Sequence, residues 1–551
     1  MNKFLLDIYM GVPKLTDFWL IVVISLVTTL FALAMSLNSL HILQLSGYRL
    51  RGYTDWCKQT KFADFGRLLM VSLLSSGAML ITNVLLDEVL VGRALKYVSI
   101  IFFFIFCFVY VVNLSSIQRK QPIKYTARMT RLIAMIAFLC FGSSIGLMYL
   151  SVNCIKYFTA GGVLVIPILL PVIIVVAHFV MIPVEKLIAK KYIKKAKAKL
   201  AAHKNLTIIG VTGSYGKTTV KNIIAGLLAE KYRVCVSPFS YNTPLGLCKT
   251  ILETLTDDDE ILVAEMGARN VGDIKELCDM VNPTIGVVTG IGNQHLMTFG
   301  TVEKLIATKS ELVRHIEANN GFVVVNTESD GAKQIFDEAT CEKLSVNINQ
   351  KEGVYADEIV ATSTGSKFKL VVDGKALEAN TALLGEHNIS NILVGVTVAK
   401  KLGLSNGQII DGIGKLTPTS HRLAIVPSNN ALIVIDDAYN GSVEGSKSAL
   451  NVLSKFEGKK VVITPGLVEL GEEQFNCNFE FGRDMSKVCD YVIVTGISNW
   501  EAIYSGLKFA GFNTDKILRA GSLNQAVTML ATITNPGDVV LFENDLPDNY
   551  L

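Results

Sequence analysis

The chain has 551 residues, 50% of them hydrophobic, with a mean hydropathy of +0.42 and a formal net charge of +4. That length exceeds what one hydrophobic core supports, so several domains are expected; the net charge says little by itself, its distribution carrying the message, and no nucleic-acid partner is expected. The averages conceal two unlike parts: residues 1–184 are dominated by long apolar runs, while the chain from about residue 205 has ordinary globular composition. Ten cysteines, at 57, 107, 140, 154, 235, 248, 278, 341, 477 and 489, never come closer than twelve residues apart. Without a C-x-x-C pair, zinc-ribbon and thioredoxin-like chemistry have no support, and scattered thiols fit a reducing cytoplasm.

Five apolar stretches, at roughly 18–41, 66–86, 91–113, 132–152 and 160–184, each approach the ~20 residues that a helix needs to cross a bilayer. The first is too long and starts too late for a cleaved signal peptide. Pro167 and Pro171 are expected to kink the fifth. Basic residues set the orientation. Arg49, Arg51, Lys58 and Lys61 occupy one loop, and Arg119, Lys120, Lys124, Arg128 and Arg131 another, whereas the turns near 87–96 and 153–159 hold two and one. The N-terminus is therefore expected outside, with the basic loops and everything after the fifth span in the cytoplasm. Residues 185–204 carry eight lysines against one glutamate, as a basic helix attracted to anionic inner-leaflet lipid would. A solvated linker helix is the plainer reading, and it gives the same placement. His178, the one ionisable residue deep in a span, is expected to hydrogen-bond a neighbouring helix rather than to carry protons.

The stretch LTIIGVTGSYGKTT (206–219) reads as a buried strand, a glycine turn and a helix start. Glycines let backbone N–H groups approach phosphate oxygens, and the helix N-terminus adds the positive end of its dipole. Thr212, Gly213, Ser214, Tyr215, Gly216, Lys217, Thr218 and Thr219 are thus candidate nucleotide contacts. Lys217 would reach the β/γ-phosphates, and the Thr218 hydroxyl would ligate Mg²⁺. The strict pattern G-x-x-x-x-G-K-[ST] fails at Val211, and the chain spells the variant T-G-x-x-G-K-T-T.

Further along, ILVAEMGA (261–268) is a buried strand ending in Glu265, placed where Mg²⁺–nucleotide enzymes keep a metal-orienting acid. A helix (271–281), a strand (284–289) and the turn GIGNQH deliver His295 to the same edge, and ATKSELV presents Lys309 on a helix. Taken alone, Glu265 would be an acid at a strand end facing water, and Lys309 a solvated surface lysine. Strand–helix alternation predicts a parallel, doubly wound sheet with these residues at its C-terminal edge. Residues 366–379 read as a hairpin, and 385–403 as an amphipathic helix whose first turns carry His387, Asn388 and Asn391. Those asparagines either cap the helix or meet an adenine edge. The pattern breaks at Pro418, and a further α/β domain of about 130 residues follows, with strands at 431–437, KKVVITPG, YVIVTG and GDVVLFEN.

In order and spacing, TGSYGKTT, AEMGA, GNQH, ATKSE, GEHNISN and IDDAYN resemble the Mur ligases, and within them the branch that adds D-Ala-D-Ala to a UDP-N-acetylmuramoyl-tripeptide. The resemblance covers about 205–551. It implies a P-loop central ATP-binding domain (205–417) and a Rossmann-like C-terminal domain (418–551); the apolar and lysine-rich composition before them reads as a helical membrane bundle (1–184) and a basic juxtamembrane helix (185–204). The resemblance implies ATP and Mg²⁺ as cofactors and a ligase that phosphorylates a carboxylate, lets an amine attack the acyl phosphate, and releases ADP and phosphate. By the same resemblance Lys217 holds the β/γ-phosphates, Thr218 and Glu265 place one Mg²⁺, and His295 serves a second that a carbamylated Lys309 supports. Asn388 and Asn391 match the adenine-side helix, Arg422 the hinge arginine that meets nucleotide, and Asp436, Asp437 and Tyr439 the acidic strand end.

The departures concern substrates. Membrane spans stand where the family has its UDP-sugar-binding domain, Gly441-Ser442-Val443 replaces Ala-Asn-Pro, Asn478 replaces a histidine, and FENDLPDNYL replaces a closing Lys-Gly-Ser-Arg. The expected partners are therefore a carboxylate-bearing envelope precursor, UDP- or lipid-linked, an amino acid or dipeptide amine, and membrane lipid. A poly-γ-glutamate-type synthase and a silent nucleotide-sensing scaffold are the alternatives. The family's lipid-amidating relative carries a four-cysteine zinc ribbon that is absent here.

Overall fold

The computed structural model describes residues 15–60, 62–85, 91–115, 122–154, 161–292, 299–428, 431–439 and 441–544. These form two compact units, one extending to Ile188 and the other running from Ala189 to Leu546. The first is helical: α1 Leu15–Leu45, α2 Ala63–Leu85, α3 Val91–Ser115, α4 Ala127–Cys154 and α5 Ile166–Ala202, with a short helix at Leu50–Gln59. Within the described residues the five apolar stretches fall on these helices, the fifth beginning on a short helix at Gly161–Leu164. Among the described residues three segments are long and apolar enough to cross a membrane, Ile21–Leu45, Ala127–Tyr149 and Ile166–Ala202; Ile101–Leu114 is a shorter apolar segment. The turn expected between α2 and α3 includes residues 86–90, which lie outside the described residues.

Apolar side chains cover the outside of this unit. Phe108, Phe138 and Phe179 are 59%, 72% and 57% exposed, an apolar surface larger than single scattered side chains would give. Polar contacts tie its helices at their ends: Asn38 Nδ2 donates to Asp64 Oδ2 at 2.6 Å, Gln44 Nε2 to the Lys124 carbonyl at 2.7 Å, and Arg131 grips both oxygens of Glu185 at 2.7 and 2.9 Å. His178 is 8% exposed and meets the Phe179 ring edge-on. The chain breaks at Val165 and restarts as α5, so Pro167 sits in a first turn where its missing N–H costs nothing, while Pro171 and Pro183 lie inside the helix. The lysine-rich segment is not a separate element: it continues α5 as far as Ala202.

The second unit is α/β. Strands β1 (Thr207–Thr212), β2 (Val234–Val236), β3 (Ile261–Glu265), β4 (Ile285–Val288), β5 (Phe322–Asn326) and β6 (Glu342–Val346) form an all-parallel sheet in the order β2-β3-β1-β4-β5-β6. Strands β3 and β4 are buried along their whole length, as sheets covered by helices on both faces require. Register sets Val211 beside Glu265 and Thr212 beside Val288, so β1, β3 and β4 all end at one edge. The expected hairpin is β8 (Gly365–Val372) against β9 (Lys375–Thr381), and β7 (Tyr355–Thr362) adds a third antiparallel strand.

A second six-stranded sheet follows, in the order β10-β11-β15-β12-β13-β14. It contains β10 (Ala424–Val426), β11 (Ile433–Asp437), β12 (Lys460–Thr464), β13 (Tyr491–Thr495), β14 (Ile517–Ala520) and β15 (Val539–Glu543); only the β10–β11 pair is antiparallel. Strands β10 and β14 were not expected from the sequence. Beside this sheet the helices Gln474–Ser486 and Trp500–Phe509 approach closely enough that a Cβ on Gly506 would stand 2.0 Å from the Phe479 carbonyl oxygen, and one on Gly482 would stand 2.5 Å from that of Ile503. A backbone atom cannot step aside as a side chain can. Gly506→Ala should therefore lower stability by about 1–3 kcal/mol, read as a lower denaturation midpoint, while Gly511→Ala, with open space around it, acts only through its backbone.

Candidate active site

The loop 213–216 links β1 to the helix Lys217–Leu228. Gly213 (φ 150°) and Gly216 (φ 78°) both take backbone angles that disfavour other residues. A Cβ on Gly213 would stand 2.0 Å from Thr289 Oγ1, so at this position space and conformation both demand glycine. The loop is clasped to the end of β4: Ser214 N donates to the Gly290 carbonyl at 2.8 Å, and Thr289 Oγ1 donates to the Tyr215 carbonyl at 2.5 Å. Thr212 Oγ1 donates to the Met266 carbonyl at 3.1 Å, joining β1 to the segment after β3. Thr212 and Ser214 are thereby structural contacts of the loop, and Lys217, folded over it, donates to the Gly213 and Ser214 carbonyls at 2.8 Å each.

Glu265 is the hub. Its Oε2 accepts from Thr218 Oγ1 at 2.9 Å and lies 3.4 Å from Lys221 Nζ; its Oε1 accepts from Asn242 Nδ2 at 3.0 Å. Glu265 and Lys221 are each 1% exposed. Lys221 Nζ also donates to the Ser237 carbonyl at 2.7 Å and to that of Phe239, which fastens the loop after β2 to the acid. Phe239 itself is 82% exposed and holds a left-handed φ of 48°, an unfavourable state for a bulky residue. Lys221 and Asn242 escaped the sequence analysis. The signal for Lys221 was available: at three before Ile224 and seven before Leu228, it interrupts the buried stripe of its helix.

Lys309, on the helix Val302–Ala318, is 2% exposed. Burial first, and the neighbouring Lys217 charge second, hold its ammonium well below the usual lysine range; Asp273, Glu311 and Glu265 pull the other way. It is thus a buried, readily neutral amine and not the solvated surface lysine of the plainer reading. Burial likewise lowers Lys217 to about 8, opposed by Glu265 and assisted by Arg422. His295 lies outside the described residues. Among the described residues no three or more His, Cys, Asp or Glu side chains gather as a metal cluster. Thr218 and Glu265 nevertheless offer the hydroxyl and carboxylate oxygens that suit a Mg²⁺ retaining most of its waters.

Asn388 and Asn391 lie on the helix Glu386–Lys401, whose N-cap is Gly385. Asn391 Nδ2 donates to Asn388 Oδ1 at 3.2 Å, and Asn391 Oδ1 would stand 3.3 Å from a Cβ on Gly216, placing this helix start against the loop. Arg422 stacks over the Tyr439 ring at 4.5 Å. Burial lowers its pKa, and Asp437, Tyr439, Glu265 and Glu543 act against that. Asn222 Nδ2, on the loop's helix, donates to Thr419 Oγ1 at 2.9 Å and secures the segment that carries Arg422. Asp436 is engaged elsewhere, accepting from His421 Nδ1 at 2.7 Å and from the Ala438 N–H at 3.1 Å. The structure therefore brings Lys217, Thr218, Glu265, Lys309 and Arg422 into one electrostatic neighbourhood and ties Asp436 to a histidine.

A lysine whose charge is lost near pH 8 attracts phosphate only below that value. The ATP dissociation constant of the wild-type protein should accordingly rise as pH climbs through and beyond about 8, with bound phosphate moving the midpoint upward. Lys217→Met should bind weakly at every pH and lack this dependence in a calorimetric titration.

The Mur ligase middle domain matches residues 211–399, and the Mur ligase, glutamate ligase domain matches residues 421–543; together they take in more than half the chain. Similar curated proteins include UDP-N-acetylmuramoyl-tripeptide--D-alanyl-D-alanine ligases. That of Mycobacterium tuberculosis (strain CDC 1551 / Oshkosh) is 29% identical over 359 residues, 61% of this chain and 70% of the relative. That of Bacillus subtilis (strain 168) is 26% identical over 342 residues, 61% of this chain and 72% of the relative. Among solved structures, MurF from Acinetobacter baumannii shares the fold, with a TM-score of 0.59 at 24% identity over 65% of this chain and 77% of that one. MurF ligase from Thermotoga maritima, solved in complex with ADP, gives a TM-score of 0.58 at 27% identity over 65% and 80%. The chain belongs to the Mur ligase family and is an ATP-dependent ligase that forms carbon–nitrogen bonds.

Proposed function

We propose that this protein is a membrane-anchored amide ligase that activates a carboxylate of a cell-envelope precursor as an acyl phosphate and joins it to an amino acid or dipeptide, with D-Ala-D-Ala the amine suggested by its relatives. The observation that carries the reading is the convergence on Glu265 of Thr218 and the buried Lys221, with Lys217, Lys309 and Arg422 acting on the same charge. Residues 1–184 serve as the membrane region, 185–204 as a lysine-rich helix attracted to anionic lipid, and 205–417 and 418–551 as the two catalytic domains on the cytoplasmic side. Apolar helices standing before the catalytic domains favour an acceptor that is itself lipid-linked.

The chemistry balances in two steps. A carboxylate oxygen of the acceptor attacks the γ-phosphorus as the bond to the β-phosphate oxygen breaks, giving an acyl phosphate and ADP. The amine then attacks the acyl carbon, inorganic phosphate leaves, and the amine nitrogen gives up a proton to solvent. Lys217 and Arg422 stabilise charge on the transferring phosphoryl group. Asn388 and Asn391 hold the adenine side. Thr218 and Glu265 and, as the family resemblance implies, His295 with a carbamylated Lys309 would hold Mg²⁺, which would offset phosphate charge. Being buried and readily neutral, the Lys309 amine is suited to attack carbon dioxide with its lone pair and release a proton to solvent, and the resulting carbamate would carry the negative charge that a lysine beside metal and phosphate needs.

Full-length protein with ATP, Mg²⁺, D-Ala-D-Ala and lipid-linked muropeptide should release phosphate and form product, and Lys217→Ala should lose at least ~100-fold of that rate. No turnover with either lipid-linked or UDP-linked acceptors would sink the ligase reading for envelope precursors. Phosphate release stimulated by glutamate alone would redirect it to a poly-γ-glutamate-type synthase, and equal product yields from Lys217→Ala and wild type to a scaffold. In ¹³C-bicarbonate the wild-type protein should show a carbamate resonance that Lys309→Arg lacks.

A further inference from the structure

Strands β11 and β15 are parallel neighbours, and their register sets Asp437 directly beside Glu543. Glu543 is 0% exposed, and apart from the Asp437 carboxyl neither of its oxygens has a hydrogen-bond partner among the described residues. Asp437 is engaged on its other side, where Oδ1 accepts from the Leu423 N–H at 3.1 Å. Arg422 is the cation acting on both acids, and Asp436 adds a like charge near Asp437. The other ionisable groups of this corner are engaged: Asp436 with His421, and Tyr439 beneath the Arg422 guanidinium, which also feels Glu265 across the site.

Two carboxylates buried side by side do not readily both ionise, because one shared guanidinium and the Leu423 N–H on Asp437 leave Glu543 with no donor of its own among the described residues. One shared proton resolves the conflict. The protonated acid donates to its neighbour, and the pair presents a single negative charge toward a single guanidinium. No feature of the sequence motifs points to this, since Glu543 lies in the closing stretch where the chain departs from the family pattern. We propose that Glu543 is a positioning residue: carrying a proton and donating it in a hydrogen bond to Asp437, it holds the acid pair at one negative charge and so sets how tightly Arg422 is retained by the C-terminal sheet rather than offered to nucleotide.

The proposal rests on the reading of Arg422 as a nucleotide contact. Both acids are shifted upward, chiefly by burial: Asp437 to about 6, opposed by Arg422, the Leu423 N–H and the hydrogen bond with Glu543, and Glu543 well above the usual carboxylate range, raised further by Asp437 and opposed by Arg422. As pH rises the pair loses its proton, the second negative charge competes with polyphosphate for Arg422, and affinity falls. Because folded-state values are raised, the stability the pair contributes is complete in acid and is lost as pH rises through those values.

The experiment compares full-length wild type, Glu543→Gln and Glu543→Ala, with ATP as the probe, by calorimetry and by melting midpoint between pH 5.5 and 9. The glutamine keeps the hydrogen-bond donor and removes the titration; the alanine removes both. Lys217 affects all three proteins alike, so the differences isolate the acid pair. At pH 7 the glutamine variant should bind ATP within about twofold of wild type, while wild type should weaken by an additional ~3–10-fold relative to it as pH rises. Glu543→Ala should bind less tightly than Glu543→Gln, and the wild-type melting midpoint should fall with pH more steeply than that of the glutamine variant. Superimposable pH profiles for wild type and Glu543→Gln in both measurements would overturn the proposal. If wild type binds no ATP, the nucleotide reading and the role of Arg422 fall together, while the melting profiles still decide the shared proton.

Discussion

The ion pair between Lys221 and Glu265 is the constraint on which the catalytic unit depends. Both side chains are almost fully buried, and a buried pair is tolerable only when each remaining polar atom finds a partner. Thr218 and Asn242 complete the acid, and the Ser237 and Phe239 carbonyls complete the ammonium. Removing one member would leave the other charged and alone. The phosphate loop, the end of β3 and the loop after β2 are thus fixed by one set of charges, and the nucleotide-facing groups inherit their positions from it.

Around that pair, burial separates two lysines that the sequence makes look alike. Lys217 keeps part of its side chain exposed and hydrogen-bonds the carbonyls of its own loop, so it stays available as a cation below about pH 8. Lys309 is deeper, repelled by Lys217, and inclined to give up its proton. The environment alone thus makes Lys217, the proposed phosphate contact, the better-retained cation and Lys309 the more readily deprotonated amine.

The fold was largely legible because its signals are local and repetitive. Apolar runs of membrane length, a strand–glycine loop–helix sequence, and buried strands alternating with amphipathic helices all follow from periodicity. Strands β10 and β14 escaped because they are short: β10 lies directly after a proline-broken segment, and β14 follows a 3₁₀ turn. The site was legible where a residue type is chemically odd for its place, as with Glu265 at a strand end. It was not legible where a residue's meaning comes from long-range pairing. Nothing within a few residues of Glu543 announces that its neighbour is Asp437, more than a hundred positions away, and Asp436 could not be told from Asp437 until strand register assigned one to a histidine and the other to the buried pair.

The backbone at Phe239 gives this arrangement a mechanical side. A phenylalanine in a left-handed conformation, with most of its ring in solvent, is a sprung segment, and the latch holding it is the ammonium of Lys221. The same ammonium is one of the three groups competing for Glu265. Any event that redistributes charge at Glu265 changes the tension on that latch, so the chemistry at the floor of the site is coupled, through a single side chain, to the shape of its rim.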